Sequence, residues 1–236
     1  MITFTKEILA DVFDLFYPNI CLACSNKLLK GEETICLRCQ LELPLTDHWT
    51  DADNILMKRF SGRVKVESAA AFLFFKKGEA VQELIHQLKY KNQEQVGIYL
   101  GRLLGHKLIQ PKSIFKDIDL VVPVPLHWKK LKTRGYNQSN SIATGISVSL
   151  NTPCSLNALN RHHENISQTK KKRFDRWENV EDIFSVTNPA QLTGKHILLV
   201  DDVVTTGATS ETCMQTILQV PGTWVSFVSL ATALKS

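Results

Sequence analysis

The residues Ile197-Leu198-Leu199-Val200-Asp201-Asp202-Val203-Val204-Thr205-Thr206-Gly207-Ala208-Thr209 concentrate most of the chemistry this chain can offer. Four branched apolar residues read as a strand buried on both faces, and two adjacent carboxylates stand at its end. A small-residue turn follows, then a helical pattern from Thr209 with Met214, Ile217 and Leu218 at core spacing. Strand, turn and helix N-terminus together make an anion site, because free backbone N–H groups and the helix dipole converge there. The hydroxyls of Thr205, Thr206 and Thr209 add donors, Gly207 lets the backbone approach closely, and Ala208 completes the small-residue loop.

Asp201 and Asp202 do not belong in a bare phosphate cradle, since two anions repel a third. They fit a ligand that also brings hydroxyl donors or a divalent metal ion. Ribose 5-phosphate has both halves, with its phosphate on the loop and its 2′- and 3′-hydroxyls on the acids. The stretch resembles the loop of type I phosphoribosyltransferases that binds 5-phosphoribosyl 1-diphosphate (PRPP). The plainer reading, an acidic turn with a threonine cap, accounts for neither the paired acids nor the threonines. A Walker-type loop does not fit, because no Gly-Lys-Ser/Thr is present.

Cys21-x-x-Cys24 and Cys36-x-x-Cys39 form two knuckles separated by 11 residues. That spacing can bring four thiolates onto one tetrahedral zinc ion, with a closed shell that folds the module and catalyses nothing. Disulfides and a redox pair are the competing uses; a redox motif needs one pair, not two. Cys154 and Cys213 read as ordinary buried thiols. The module is too small to hold a core of its own without a metal.

The net charge of +5 is mild, but its distribution is uneven. Lys129, Lys130, Lys132 and Arg134 form one cluster, and Lys170, Lys171, Lys172, Arg173 and Arg176 another. Solvated lysines are the ordinary reading; a polyphosphate or nucleic-acid ligand is the sharper one. Tyr136, Phe174 and Trp177 lie among these cations and could either stack bases of a single strand or anchor the loops to their own domain.

These groups need elements to hold them. Val64 to Phe75 reads as strand. Val81, Leu84, Ile85 and Leu88 have helical spacing, repeated by Val96, Tyr99, Leu100, Leu103 and Leu104. Asp119 to Val122 reads as a buried strand stopped by Pro123-Val124-Pro125, with a helix starting near Asn137 or Ser139. This alternation predicts an α/β fold, a parallel sheet with helices on both faces and its ligand site at the C-terminal strand ends. The loop 123–134 and the acidic loop would then face one crevice. Arg161–Glu181 is long and charged and reads as a basic lid or a surface loop.

With 236 residues, one medium domain plus an appendage is expected: a helix and zinc-ribbon-like module at 1–50, a polar linker at 46–54, and the larger domain at 51–236. No apolar run reaches the length of a membrane span, so no membrane insertion is expected. The amphipathic stretch Phe4 to Phe16 carries Glu7, Asp11 and Asp14 and makes a poor signal peptide, so a cytoplasmic protein is expected.

Taken in order, the motifs resemble the ComF family, named from bacterial competence for DNA uptake. The resemblance rests on the cysteine module after Tyr17-Pro18, on Leu88-Lys89-Tyr90 with Leu100-Gly101, and on Pro123-Val124-Pro125-Leu126 with Arg134-Gly135-Tyr136-Asn137-Gln138. Gln168-Thr169, Arg173, Arg176-Trp177-Glu178-Asn179-Val180 and Phe184 continue it, with Ser167 standing where Thr would be expected. It implies a zinc ribbon joined to a type I phosphoribosyltransferase fold. Asp201 and Asp202 would hold ribose hydroxyls, Thr205 to Thr209 the 5′-phosphate, and Pro123 to Leu126 the diphosphate. It also implies Mg²⁺ with PRPP, single-stranded DNA as a partner, and other DNA-uptake proteins as further partners.

Two functions of different class remain open. A phosphoribosyl transferase for a nucleobase or other small acceptor needs cations on the departing diphosphate, for which Lys129, Lys132, Arg134, Arg173 and Arg176 are candidates. It also needs a base, and His127, His162 and His163 are weak ones. A nucleic-acid-binding factor would keep the fold and a PRPP pocket, with Lys170, Lys171, Lys172, Arg173 and Trp177 on the strand.

Overall fold

The computed structural model describes residues 18–75, 80–162 and 183–233. The helix expected over Phe4–Phe16, the cluster Lys170–Arg176, and His163, Phe174 and Trp177 lie outside the described residues.

Helix α1 (Leu37–Leu41) starts inside the second cysteine knuckle, with Cys36 at its N-cap and Cys39 buried within it. The stretch expected as a linker is instead packed. A 3-10 turn at His48–Thr50 buries His48 and Trp49, and Thr46 N–H donates to the carbonyl of Phe72 at 3.1 Å. Asn54 is 3% exposed: its Oδ1 accepts from the amides of Leu56 and Met57, capping α2 (Ile55–Phe60), and its Nδ2 donates to Ala69 O at 2.9 Å. These polar side chains look like a linker in sequence because their partners are backbone groups of the neighbouring strand. That strand, β1 (Ala69–Phe74), is shorter than Val64–Phe75.

Next come α3 (Ala80–Tyr90) and α4 (Glu94–Leu108), burying Val81, Leu84, Ile85, Leu88, Val96, Leu100 and Leu104 at the expected spacing. β2 (Leu120–Pro123) stops at the prolines. The following loop is not all loop: it holds α5 (Trp128–Arg134), a helix none of whose residues is buried. α6 (Gln138–Leu150) starts where expected, capped by Asn137. β3 (Leu159–Arg161) and β4 (Phe184–Val186) pair antiparallel, and β5 (His196–Val204), α7 (Ala208–Leu218) and β6 (Trp224–Thr232) complete the described chain.

The main sheet is parallel throughout, in the order β1-β6-β5-β2. Alternate residues face opposite helical layers. Phe72, Val121, Leu198, Val200 and Val228 pack with α3, α4 and α6; Ala71, Val122, Leu199, Val225 and Phe227 pack with α2 and α7. Both faces are therefore covered, which is why β1, β2 and the stretch Ile197–Val200 of β5 are unbroken apolar runs.

α4 and α6 touch backbone to backbone. A Cβ on Gly101 would overlap the carbonyl oxygen of Ile142, and one on Gly145 that of Ile98. This close approach fixes α6, whose N-terminus borders the crevice described below. The cysteine module adds Cys21, Leu28, Ile35, Cys39 and Leu43 to the α3–α4 side of the core, and Tyr99 Oη donates to Gln40 Oε1 at 2.7 Å.

Candidate functional site

β2 ends at Pro123, paired with Val200, whereas β5 runs on to Val204 with β6 alone beside it among the described residues. The acids thus lie within β5, past the end of its β2 neighbour, and the strand continues beyond the end the sequence assigns it. Val124 N–H donates to Val200 O at 2.8 Å, and the chain then turns away, opening a cavity of about 220 Å³. Val124, Pro125, Leu126, Lys130, Arg134, Asp201, Asp202 and Thr209 line it, so the loop after β2 and the acidic loop share one crevice. Lys89, Asn137, Gln138, Ser139 and Arg161 also line it. Pro123 is buried in β2, and Lys129 faces a neighbouring cavity.

The two carboxylates are held differently. Asp201 Oδ1 accepts from Asp202 N–H at 2.8 Å and from Ser139 Oγ at 3.4 Å, and its Oδ2 accepts from Ser210 Oγ at 3.2 Å. Burial, and then the charge of Asp202, push its pKa up to about 7, against the pull of those donors and of Lys89. Asp202 accepts from Val203 N–H at 2.6 Å and pairs through Oδ2 with Lys89 Nζ at 2.8 Å.

The turn beyond is open. Thr205, Thr206, Ala208 and Thr209 are exposed. Gly207 takes the left-handed conformation (φ +80°) and caps α7 without a side-chain acceptor; the Ala208 amide donates to Thr206 Oγ1 at 3.4 Å, and the next amides of the first turn are the ones that can face an anion. A Cβ there would come within 3.0 Å of the Phe60 ring, so only glycine satisfies both turn and packing.

Residues 134–138 hold the crevice together. Tyr136, 9% exposed, donates its hydroxyl to Leu88 O, and burial raises its pKa to about 12. It anchors the loop and is not a free stacking platform. Asn137 Nδ2 donates to Val124 O at 3.0 Å while its Oδ1 accepts from Ser139 N–H, tying the loop after β2 to α6. Arg134 donates to Gln138 Oε1 at 2.8 Å. His127 Nδ1 accepts from Lys129 N–H at 3.2 Å as the cap of α5. Neither His127 nor His162 lines the crevice.

Lys89, Arg161, Ser139 and Ser210 were not singled out as site residues by sequence. Lys89 stands in a motif that carries the family resemblance, which was the one available signal.

Away from the crevice lining, the Sγ atoms of Cys21, Cys24, Cys36 and Cys39 all lie within 4.8 Å of one another. A tetrahedron with metal–sulfur arms of about 2.3 Å has sulfur–sulfur edges of roughly 3.8 Å; Cys24 and Cys36 are 3.8 Å apart. Cys36 N–H also donates to Cys21 Sγ at 3.3 Å. Burial acts to raise the pKa of Cys21, but this amide and those of Ala23 and Cys24 outweigh it and bring the pKa down to about 7. Burial raises that of Cys39. The four thiols could bind a metal such as zinc. Cys213 is buried as expected, while Cys154 is only half-buried.

The sequence is similar to proteins named for competence and for DNA utilization. It is 29% identical over 205 residues to the DNA utilization protein YhgH of Escherichia coli K12, covering 85% of each chain. It is 26% identical over 202 residues to Competence protein F of Haemophilus influenzae (82% of this chain, 88% of that one). With Competence protein ComFC of Bacillus subtilis it shares 25% over 210 residues (87% and 81%). The resemblance read from the motifs thus extends over most of the chain. No protein-family model matches it.

Among solved structures, the B. subtilis glutamine PRPP amidotransferase complexed with ADP and GMP overlaps at a TM-score of 0.42 and 19% identity, covering 60% of this chain and 30% of that one. The adenine phosphoribosyltransferase of Trypanosoma brucei overlaps at 0.37 and 14%, covering 78% and 83%. These overlaps are too loose to bear on substrate. Among the described residues, no helix is long and apolar enough to cross a membrane.

Proposed function

We propose that the crevice binds PRPP or ribose 5-phosphate, and that the chain works in the cytoplasm on or with incoming single-stranded DNA in natural transformation. The observation that carries the first half is the lining of one small cavity by two carboxylates and four cations, Lys89, Lys130, Arg134 and Arg161. A ligand that is both polyanionic and hydroxylated matches that set; a bare phosphate or a bare sugar matches half of it. The ribose hydroxyls go to Asp201 and Asp202, the 5′-phosphate to the amides and hydroxyls of Thr205–Thr209, and the 1-diphosphate to the side of Val124–Leu126, Lys130 and Arg134. Mg²⁺ arriving with PRPP would neutralise diphosphate charge that these side chains leave over.

The second half rests on the similarity to competence and DNA-utilization proteins, and on the basic segment Lys170–Arg176 of the sequence. The cysteine module, residues 1–50, holds one structural zinc and is joined to the larger unit at 51–236. DNA-uptake proteins are the further partners this role implies.

Calorimetry with ribose 5-phosphate, PRPP with Mg²⁺, and inorganic phosphate tests the crevice. Asp201→Asn combined with Asp202→Asn should abolish most ribose 5-phosphate affinity and spare inorganic phosphate, which depends on backbone amides. Undiminished ribose 5-phosphate binding by the double variant would overturn the assignment. Steady release of diphosphate from PRPP in the presence of a nucleobase would favour an enzyme of phosphoribosyl transfer instead.

A further inference from the structure

A second cavity, of about 590 Å³, adjoins the crevice and shares Lys89, Lys130 and Arg134 with it. Tyr90, Asn92, Lys129 and Thr133 complete its lining, so four cations and no carboxylate face it among the described residues. α5 supplies four of these side chains, three of them cations, and buries none of its own residues.

An anion alone would not account for the aromatic wall. Tyr90 ends α3 and is 66% exposed, so much of its ring is open to a ligand in this cavity. The guanidinium of Arg134 lies 5.6 Å from its ring centre, and the ring of His86 packs at 5.2 Å on its own helix. Tyrosine and guanidinium together offer the flat, cation-rich surface on which nucleic-acid bases stack. A cavity of this size accommodates a small ligand of mononucleotide dimensions.

From this lining we infer a second ligand subsite, for a nucleoside 5′-phosphate group. The base lies against Tyr90 and Arg134, and the phosphate sits among Lys89, Lys129 and Lys130. The group comes either from a free mononucleotide or from the 5′-phosphorylated end of a single strand. The inference deepens the proposed reading by placing the nucleic-acid ligand beside the ribose-phosphate crevice. Because the two sites share three cations, an anion in one weakens the other without excluding it.

The test is calorimetry on the full chain with thymidine 5′-monophosphate, with a 5′-phosphorylated oligothymidylate, and with ribose 5-phosphate. Thymidine 5′-monophosphate or the phosphorylated strand should bind, and which of them binds identifies the source. Saturating ribose 5-phosphate should reduce that affinity a few-fold and then level off. Tyr90→Ala should weaken the nucleotide about 10-fold, within the range for one stacked base, and leave ribose 5-phosphate unchanged. Binding of neither nucleotide probe, an unchanged affinity in Tyr90→Ala, or displacement that grows without limit with ribose 5-phosphate would overturn the subsite. If Asp201→Asn with Asp202→Asn keeps its ribose 5-phosphate affinity while Tyr90→Ala loses the nucleotide, the crevice reading fails and the subsite stands.

Discussion

Lys89 Nζ lies 2.8 Å from Asp202 Oδ2, with the two side chains only 19% and 17% exposed. The pair joins the C-terminal end of α3 to β5 and sets the charge of the crevice. It also acts on the neighbouring acid, since Lys89 is among the influences that draw the Asp201 pKa down.

Lys89→Met should therefore cost stability and binding together. The pair lies between the exposed and buried limits, so a loss of about 1–3 kcal/mol is expected in urea unfolding. Ribose 5-phosphate affinity should fall about 10-fold as Asp202 loses the charge-assisted contact that orients it, and Lys89→Arg should restore much of the stability. A gain in affinity for Lys89→Met would show instead that the lysine blocks the acid from ligand.

One zinc per chain is expected from elemental analysis. Chelation should release it and free four thiols to a thiol reagent, while Cys213, fully buried in the sheet–helix core, stays slow. Because Cys21, Cys39, Ile35 and Leu43 belong to the same apolar cluster as α3 and α4, metal loss should also lower the thermal midpoint of the whole chain. A preparation without metal that keeps its midpoint and protects these thiols would remove zinc from the fold.

The parts of this molecule legible in sequence are those whose signal is local. Ile197–Val200 and Leu120–Val122 are buried on both faces, so their apolar runs are unbroken. α3 and α4 are long enough to show a helical period. α5 has no buried face and so no period to find, and α2 is too short for one. The anion loop was readable because strand, turn and helix are contiguous. The partners of its acids were not: Lys89, Ser139 and Arg161 reach the crevice through the fold, and no spacing rule links them to Asp201 or Asp202. Tyr136 misleads in the other direction, an aromatic among cations whose hydroxyl is spent on Leu88 O.

Gly145→Ala tests how the scaffold reaches the site. The added methyl would overlap the carbonyl of Ile98, which belongs to the backbone and cannot rotate away, so α4 and α6 must separate. A destabilisation of about 1–3 kcal/mol is expected by urea unfolding. The N-terminus of α6 should shift with it and disturb the Ser139 contact to Asp201 and the Asn137 tie to Val124. Ribose 5-phosphate affinity should drop in parallel, although Gly145 is not part of the crevice lining. Loss of stability with affinity unchanged would show that α6 does not set the geometry of the crevice.

The pKa of about 7 at Asp201 gives the last prediction a definite sign. An unfolded aspartate releases its proton near pH 3.8, whereas the folded one keeps it until about pH 7. Between these values the native state binds more protons, so this group makes stability fall as pH rises through the window, with the full penalty present above it. Asp201→Asn removes the charge that burial disfavours, so it should gain stability relative to the native chain at pH 8 and show little difference near pH 4. Binding runs the opposite way. Ribose hydroxyls donate to an ionised carboxylate, so affinity should rise with pH up to about 7, and binding below that pH should release protons. The ligand's own phosphate titrates near pH 6, so the comparison needed is native chain against Asp201→Asn, by calorimetry in two buffers of different ionisation enthalpy. Proton release confined to the native chain supports the hydroxyl contact at Asp201; equal release in both assigns the whole pH dependence to the phosphate and removes Asp201 from the ribose.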